Sequence, residues 1–171
     1  ILSLAPNIAS AAAVVAAVVA KPLPALAAAK KAVPFTLLGK TSSELFAVQN
    51  LSLVSWVLMI LLPRWKMTPP LVLVAPLVFS ALNGAVLLHM TKHPAPGLTV
   101  SFSSLEGIMP GFTLPDGAFA GWLHYCTFDP LVGLGIVLDA KRNGIPHLLC
   151  VPCLVATLFA GPVGFAPPTL L

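Results

Sequence analysis

The stretch Phe128–Pro152, FDPLVGLGIVLDAKRNGIPHLLCVP, decides the fold. An apolar run ends in Asp139, Lys141 and Arg142, and Asn143-Gly144 supplies a helix stop and turn. Lys141 and Arg142 suit the negative end of a helix dipole. Pro146 stands at the start of the next apolar run, where a proline is tolerated. The pattern predicts a helical hairpin with a tight charged turn. Upstream, Asp129-Pro130 interrupts the first helix. Asp is a favoured N-cap and Pro a favoured first helical residue, so the helix can restart here with Asp129 as its cap.

Outward from this hairpin the chain reads as an all-α membrane protein, a four-transmembrane-helix bundle with an extended apolar N-terminal tail. The chain has 171 residues, 58% hydrophobic and 8% charged. A soluble domain carries about 25% charged residues, so this chain lacks the charge to cover a water-facing surface. Spans are predicted over about 44–62, 71–90, 116–140 and 145–165, with residues 1–43 as the tail and 44–171 as one membrane domain. Thr41-Ser42-Ser43-Glu44 matches a capping box at the start of the first span. Pro63-Arg64-Trp65-Lys66 ends it with interfacial anchors. Gln49 and Asn50 lie inside it and are expected to face other helices. Pro76 falls in the first half of the second span, tolerable where a neighbour satisfies the freed carbonyl. Gly117 and Gly121 form a weak close-packing motif. Residues 91–115 are read as a long loop.

The net charge is +4. The basic residues sit in the tail or beside spans, which points to membrane topology and anionic-lipid contact. No basic stripe alternates with aromatics, which excludes nucleic-acid binding. The basic, acid-free tail resembles an organelle transit segment, and its apolar core, residues 8–20, is too short to span. Arg64, Lys66, Lys141 and Arg142 favour both short turns on the cytoplasm-like side, while the lysines of the tail argue the other way. Cys126, Cys150 and Cys153 give no disulfide framework. Cys150-Val-Pro-Cys153 lacks the basic surroundings of a redox pair and reads as packing. No metal-ligating, phosphate-binding or hydrolase motif is present.

The run FDPLVG…LDAKRNGIPHLLCVPCLVATLFAGPVG, after GWLHY, resembles the ABA4-like family of small plastid and cyanobacterial membrane proteins. The resemblance covers roughly residues 45–164, and its specific part is 121–164. It implies a plastid location, the thylakoid membrane in particular, and a connection to xanthophylls through neoxanthin formation from violaxanthin. Two positions depart from the family pattern: Leu134 follows Gly133 where an arginine is common, and Pro130 follows the aspartate directly.

Two functions from different classes follow. The first, which the sequence favours, is a non-catalytic, pigment-contacting subunit of a photosystem or antenna complex. Its partners would be membrane lipids, pigments and a larger photosynthetic assembly. Its cofactors would be chlorophyll or carotenoid, with His124, His89, His93 and His147 as candidate axial ligands. The plain alternative for each is a hydrogen-bonded interface histidine. The second is a xanthophyll isomerase that rearranges a violaxanthin epoxide. Under it the catalytic candidates are Asp129, Tyr125 and His124. A carboxyl in an apolar site can stay protonated and donate its proton to an epoxide oxygen. The competing role for Asp129 is the helix cap. Asp139 and His147 are expected to meet across the hairpin turn as a polar latch.

Overall fold

The computed structural model describes residues 31–164. The 8–20 segment and most of the tail therefore lie outside the described residues. The described chain is mostly helical: α1 (Ser42–Leu45), a 3-10 turn over Phe46–Asn50, α2 (Leu51–Leu61), α3 (Thr68–Val72), α4 (Val74–Lys92), α5 (Leu105–Phe112), α6 (Pro115–Arg142), α7 (His147–Ala160) and a 3-10 turn over Gly161–Gly164. A two-stranded hairpin, β1 (Thr36–Leu37) and β2 (Lys40–Thr41), precedes them.

Two helical stretches are long and apolar enough to cross a membrane, Ser42–Leu61 and Thr68–Lys92. The first begins as its sequence predicts. The Glu44 carboxylate accepts hydrogen bonds from the Thr41 amide and hydroxyl, both at 2.8 Å. The second contains Pro76, whose missing N–H leaves the Val72 carbonyl without its helical donor. Ser55 on α2 donates its hydroxyl to that carbonyl at 3.2 Å. The proline is therefore accommodated by a neighbouring helix, and the packing of α2 on α3 follows from it. α7 is apolar but only 14 residues long.

α6 is the pillar of the fold. Its first half packs Phe119, Ala120 and Leu123 against Phe79, Leu82 and Val86 of α4. Its second half packs Leu134, Ile136 and Val137 against Trp56 and Met59 of α2 and Cys150 and Leu154 of α7. Continuity of α6 corrects the expected restart. Helix runs unbroken through Asp129-Pro130 for 28 residues, so Asp129 is not an N-cap. Proline's fixed φ is already helical, and contacts on both sides hold the segment straight enough to continue. A further correction concerns residues 91–115, which are not all loop. Ser104 accepts from the Gly107 amide at 3.1 Å and caps α5. The glycines Gly117 and Gly121 admit the backbone of Gly111 and the ring of Phe112, so their close packing is with α5.

The hairpin turn follows the sequence, but the expected latch does not form. The Asp139 carboxylate accepts from Asn143 Nδ2 at 3.1 Å. His147 Nε2 instead reaches the Ile60 carbonyl at 3.0 Å. That carbonyl belongs to the last turn of α2, where helical donors run out. The unpaired main-chain acceptor wins over the carboxylate, which has a nearer partner on its own helix.

The last residues of the tail, from Val33 to Ser42, are tied to the bundle. Buried Asp116, in the first turn of α6, accepts from the Phe35 amide at 2.8 Å and the Ser42 hydroxyl at 2.6 Å. His89 Nε2 reaches the Val33 carbonyl at 3.0 Å, and Phe35 packs edge-on against the His89 ring. Bonds to a charged group contribute about 1.5–3 kcal/mol each, so Asp116 anchors this segment. We expect Asp116→Ala to speed tryptic cleavage after Lys40 in detergent-solubilised protein several-fold. Unchanged cleavage would mean that the hairpin is held by Phe35 alone.

Candidate functional site

A groove of about 460 Å³ opens between the 3-10 turn with α2, the middle of α6 and the end of α7. Trp122, Tyr125, Cys126 and Asp129 supply one wall. Their spacing of three, one and three residues places them on a single helix face. Gln49, Asn50, Ser52, Leu53 and Trp56 supply the facing wall, and Leu158 and Phe159 close one end. The lining is apolar and aromatic with a few convergent polar groups, the usual make-up of a small-molecule site.

Asp129 is buried, at 9% exposure, and its carboxyl lies beside the Tyr125 hydroxyl one turn earlier. Gly161, with φ of +54°, brings the end of α7 against this pair. A Cβ there would lie 3.3–3.5 Å from the Tyr125 ring and hydroxyl and Asp129 Oδ1. At the other end, Trp122 donates its indole N–H to Gln49 Oε1. The Trp122 ring stacks on Tyr125 with centroids 5.6 Å apart and faces Phe46 at 6.1 Å. An aromatic row thus leads from Phe46 to the Tyr125–Asp129 pair.

Gly133 continues the same face of α6 beyond Asp129. A Cβ there would lie 2.9 Å from the Trp56 ring and 3.0 Å from the Met59 methyl. The glycine of the FDPLVG run lets the Trp56 ring approach α6 closely, where it lines the groove. Leu134, the next residue, is buried in the α2–α6–α7 core and does not line the groove.

Asp129 and Tyr125 are brought together in the groove. His124 is not: it lies exposed on another face of α6, its ring 4.8 Å from Phe128. His89 and His93 sit at the far end of α4 with rings 4.7 Å apart, and His147 sits at the hairpin turn. The four histidines do not converge. Among the described residues no cluster of His, Cys, Asp or Glu could hold a metal ion. Cys126, Cys150 and Cys153 are buried and form no disulfide. Gln49 and Gly161 also belong to the site, and neither is a candidate site residue in the sequence alone. The clue for Gln49 was an amide inside an apolar span, which has to find a polar partner across the bundle.

Gly133→Ala forces Trp56 and Met59 to move, a kind of overpacking that costs about 1–3 kcal/mol. We expect it to lower the thermal unfolding midpoint in micelles. Gly135→Ala, where nothing lies within 4 Å, should not, because alanine favours helix. Equal midpoints for the two variants would exclude the Trp56–Gly133 contact as a structural constraint.

A family model described as "ABA4-like: ABA DEFICIENT 4-like" matches residues 44–167, which include every groove residue. No curated protein and no solved structure matches the chain. With well over half of its length matched, the chain belongs to the ABA4-like family.

Proposed function

We propose that this protein is a plastid membrane protein that binds a xanthophyll epoxide in the α2–α6–α7 groove and isomerises it. The observation that carries this reading is the placement of Asp129: its carboxyl faces an apolar groove and lies beside Tyr125. A helix cap would have spent the carboxylate on backbone amides. Family membership supports the same reading, as does the position of Leu134 away from the groove.

The chemistry needs a proton given to the epoxide oxygen and a proton removed from the polyene. Asp129 in its acid form donates its proton to the oxygen as the ring C–O bond breaks, leaving an alcohol. Tyr125 positions the carboxyl from one turn away on the same helix face. The resulting carboxylate then accepts the proton lost from the adjoining chain carbon as the allene forms. Atoms balance, the product is an isomer, and the acid is restored. The groove holds a cyclic end group and the neighbouring part of the chain, and the remaining polyene lies along the aromatic row and out toward lipid. Gln49 and Asn50 are placed to bind ring hydroxyls.

The four-span topology is part of this proposal. Ser42–Leu61, Thr68–Lys92, α6 and α7 with its 3-10 extension would be the spans, with the thylakoid as the site of action. The other reading, a pigment-contacting subunit of a photosynthetic complex, would use the histidines as axial ligands. Two of them, His89 and His147, already engage main-chain carbonyls, and exposed His93 and His124 remain for a chlorophyll.

Purified protein in lipid vesicles, supplied with violaxanthin, should form an allenic isomer without added reductant or oxidant. Asp129→Asn should reduce the rate by at least about 100-fold and Tyr125→Phe by about 10-fold, the scale of a positioned proton donor and its helper. Chlorophyll and carotenoid at fixed stoichiometry, with no conversion by the wild type, would establish the subunit reading instead.

A further inference from the structure

A second cavity, of about 290 Å³, lies at the end of the molecule where the α6–α7 hairpin turns. Arg64, from the α2–α3 turn, and Lys141, from the last turn of α6, line it together with Pro63, Gly144, Pro146 and His147. No carboxylate lines it. The nearest acid on the same helix end, Asp139, is held by Asn143. The first residue of α7 forms part of the wall, so the positive end of that helix dipole faces the cavity.

The walls flanking the cavity are apolar. Leu62 precedes Pro63 at 47% exposure, and Leu148 follows His147 at 80%. Leu61 and Leu149 are also exposed. Trp65 and Lys66, both exposed, stand just beyond, in the manner of interfacial anchors. A cationic recess bordered by outward-facing leucines suits a charged head with hydrocarbon chains attached.

We propose that this recess binds the oxyanion headgroup of an anionic membrane lipid, with Arg64 and Lys141 on the phosphate or sulfonate and Leu61, Leu62, Leu148 and Leu149 along the acyl chains. Free phosphate shares the charged chemistry but leaves the leucines uncovered. The site is separate from the groove and does not depend on the groove's activity. Its effect is to staple the α2–α3 turn to the α6–α7 hairpin through a third molecule.

The test uses the purified full chain in neutral detergent micelles. Phosphatidylglycerol added to the micelles should raise the thermal unfolding midpoint, and phosphatidylcholine should not. Native mass spectrometry should show one phosphatidylglycerol retained after delipidation. Arg64→Gln with Lys141→Gln should abolish both effects, and each single change should weaken retention several-fold. The charge-matched pair Lys66→Gln with Lys92→Gln should keep them. Both substituted sites are exposed, so folding is not at risk, and the midpoint without lipid checks it directly. Retention unchanged in the Arg64/Lys141 variant would overturn the site. An equal loss in the Lys66/Lys92 variant would reduce it to net charge and overturn it too. A midpoint shift reproduced by inorganic phosphate in phosphatidylcholine micelles would overturn the lipid as the source of the anion.

Discussion

An apolar chain with 18 prolines must satisfy its main-chain polar groups from within, and much of this structure follows from that requirement. Each proline in a helix frees a carbonyl, and each helix end leaves more. The side chains that answer them are those that join elements. Ser55 reaches the Val72 carbonyl freed by Pro76, and Thr68 reaches the Leu62 carbonyl at the end of α2. His147 reaches the Ile60 carbonyl, and His89 the Val33 carbonyl. These bonds fix α2 to α3, α2 to α7, and the hairpin segment to α4. Such bonds, with close packing between helices, hold the assembly together.

The same economy explains the groove. α6 serves two cores, one on each half, and its middle carries the face between them. There Trp122, Tyr125, Cys126 and Asp129 meet Gln49 and Trp56 rather than a filled core. Tyr125 sits beside Asp129 along one wall, Trp122 reaches Gln49 across the groove, and the space between stays open. Gly133 lets the Trp56 ring come close against α6. A carboxyl placed this way costs stability, and an ionisable group in such a setting is a candidate for function.

Charge is segregated to the ends. Arg64 and Lys141 meet at the hairpin end with no carboxylate between them, while Asp116 is spent at the opposite end of α6 on Phe35 and Ser42. At one end of the pillar the charged group finds its donors within the chain itself, and the other is left for an external anion.

The sequence by itself determined the helical class, the capped start of the first long helix, the charged hairpin turn, the family, and Asp129 with Tyr125 as the pair to watch. These rest on local rules: hydropathy over a span, cap spacing, turn residues, and the one-turn separation that puts residues 125 and 129 on one face. Only the tertiary structure decided how Asp129 is used. Locally Asp-Pro is a good cap, yet contacts to α4, α2 and α7 carry the helix straight through it. The same holds for His147, drawn from Asp139 to the end of α2, and for Gln49, paired with a tryptophan 73 residues away. Partners so distant in the chain have no spacing rule, because the geometry that joins them exists only once the helices have packed.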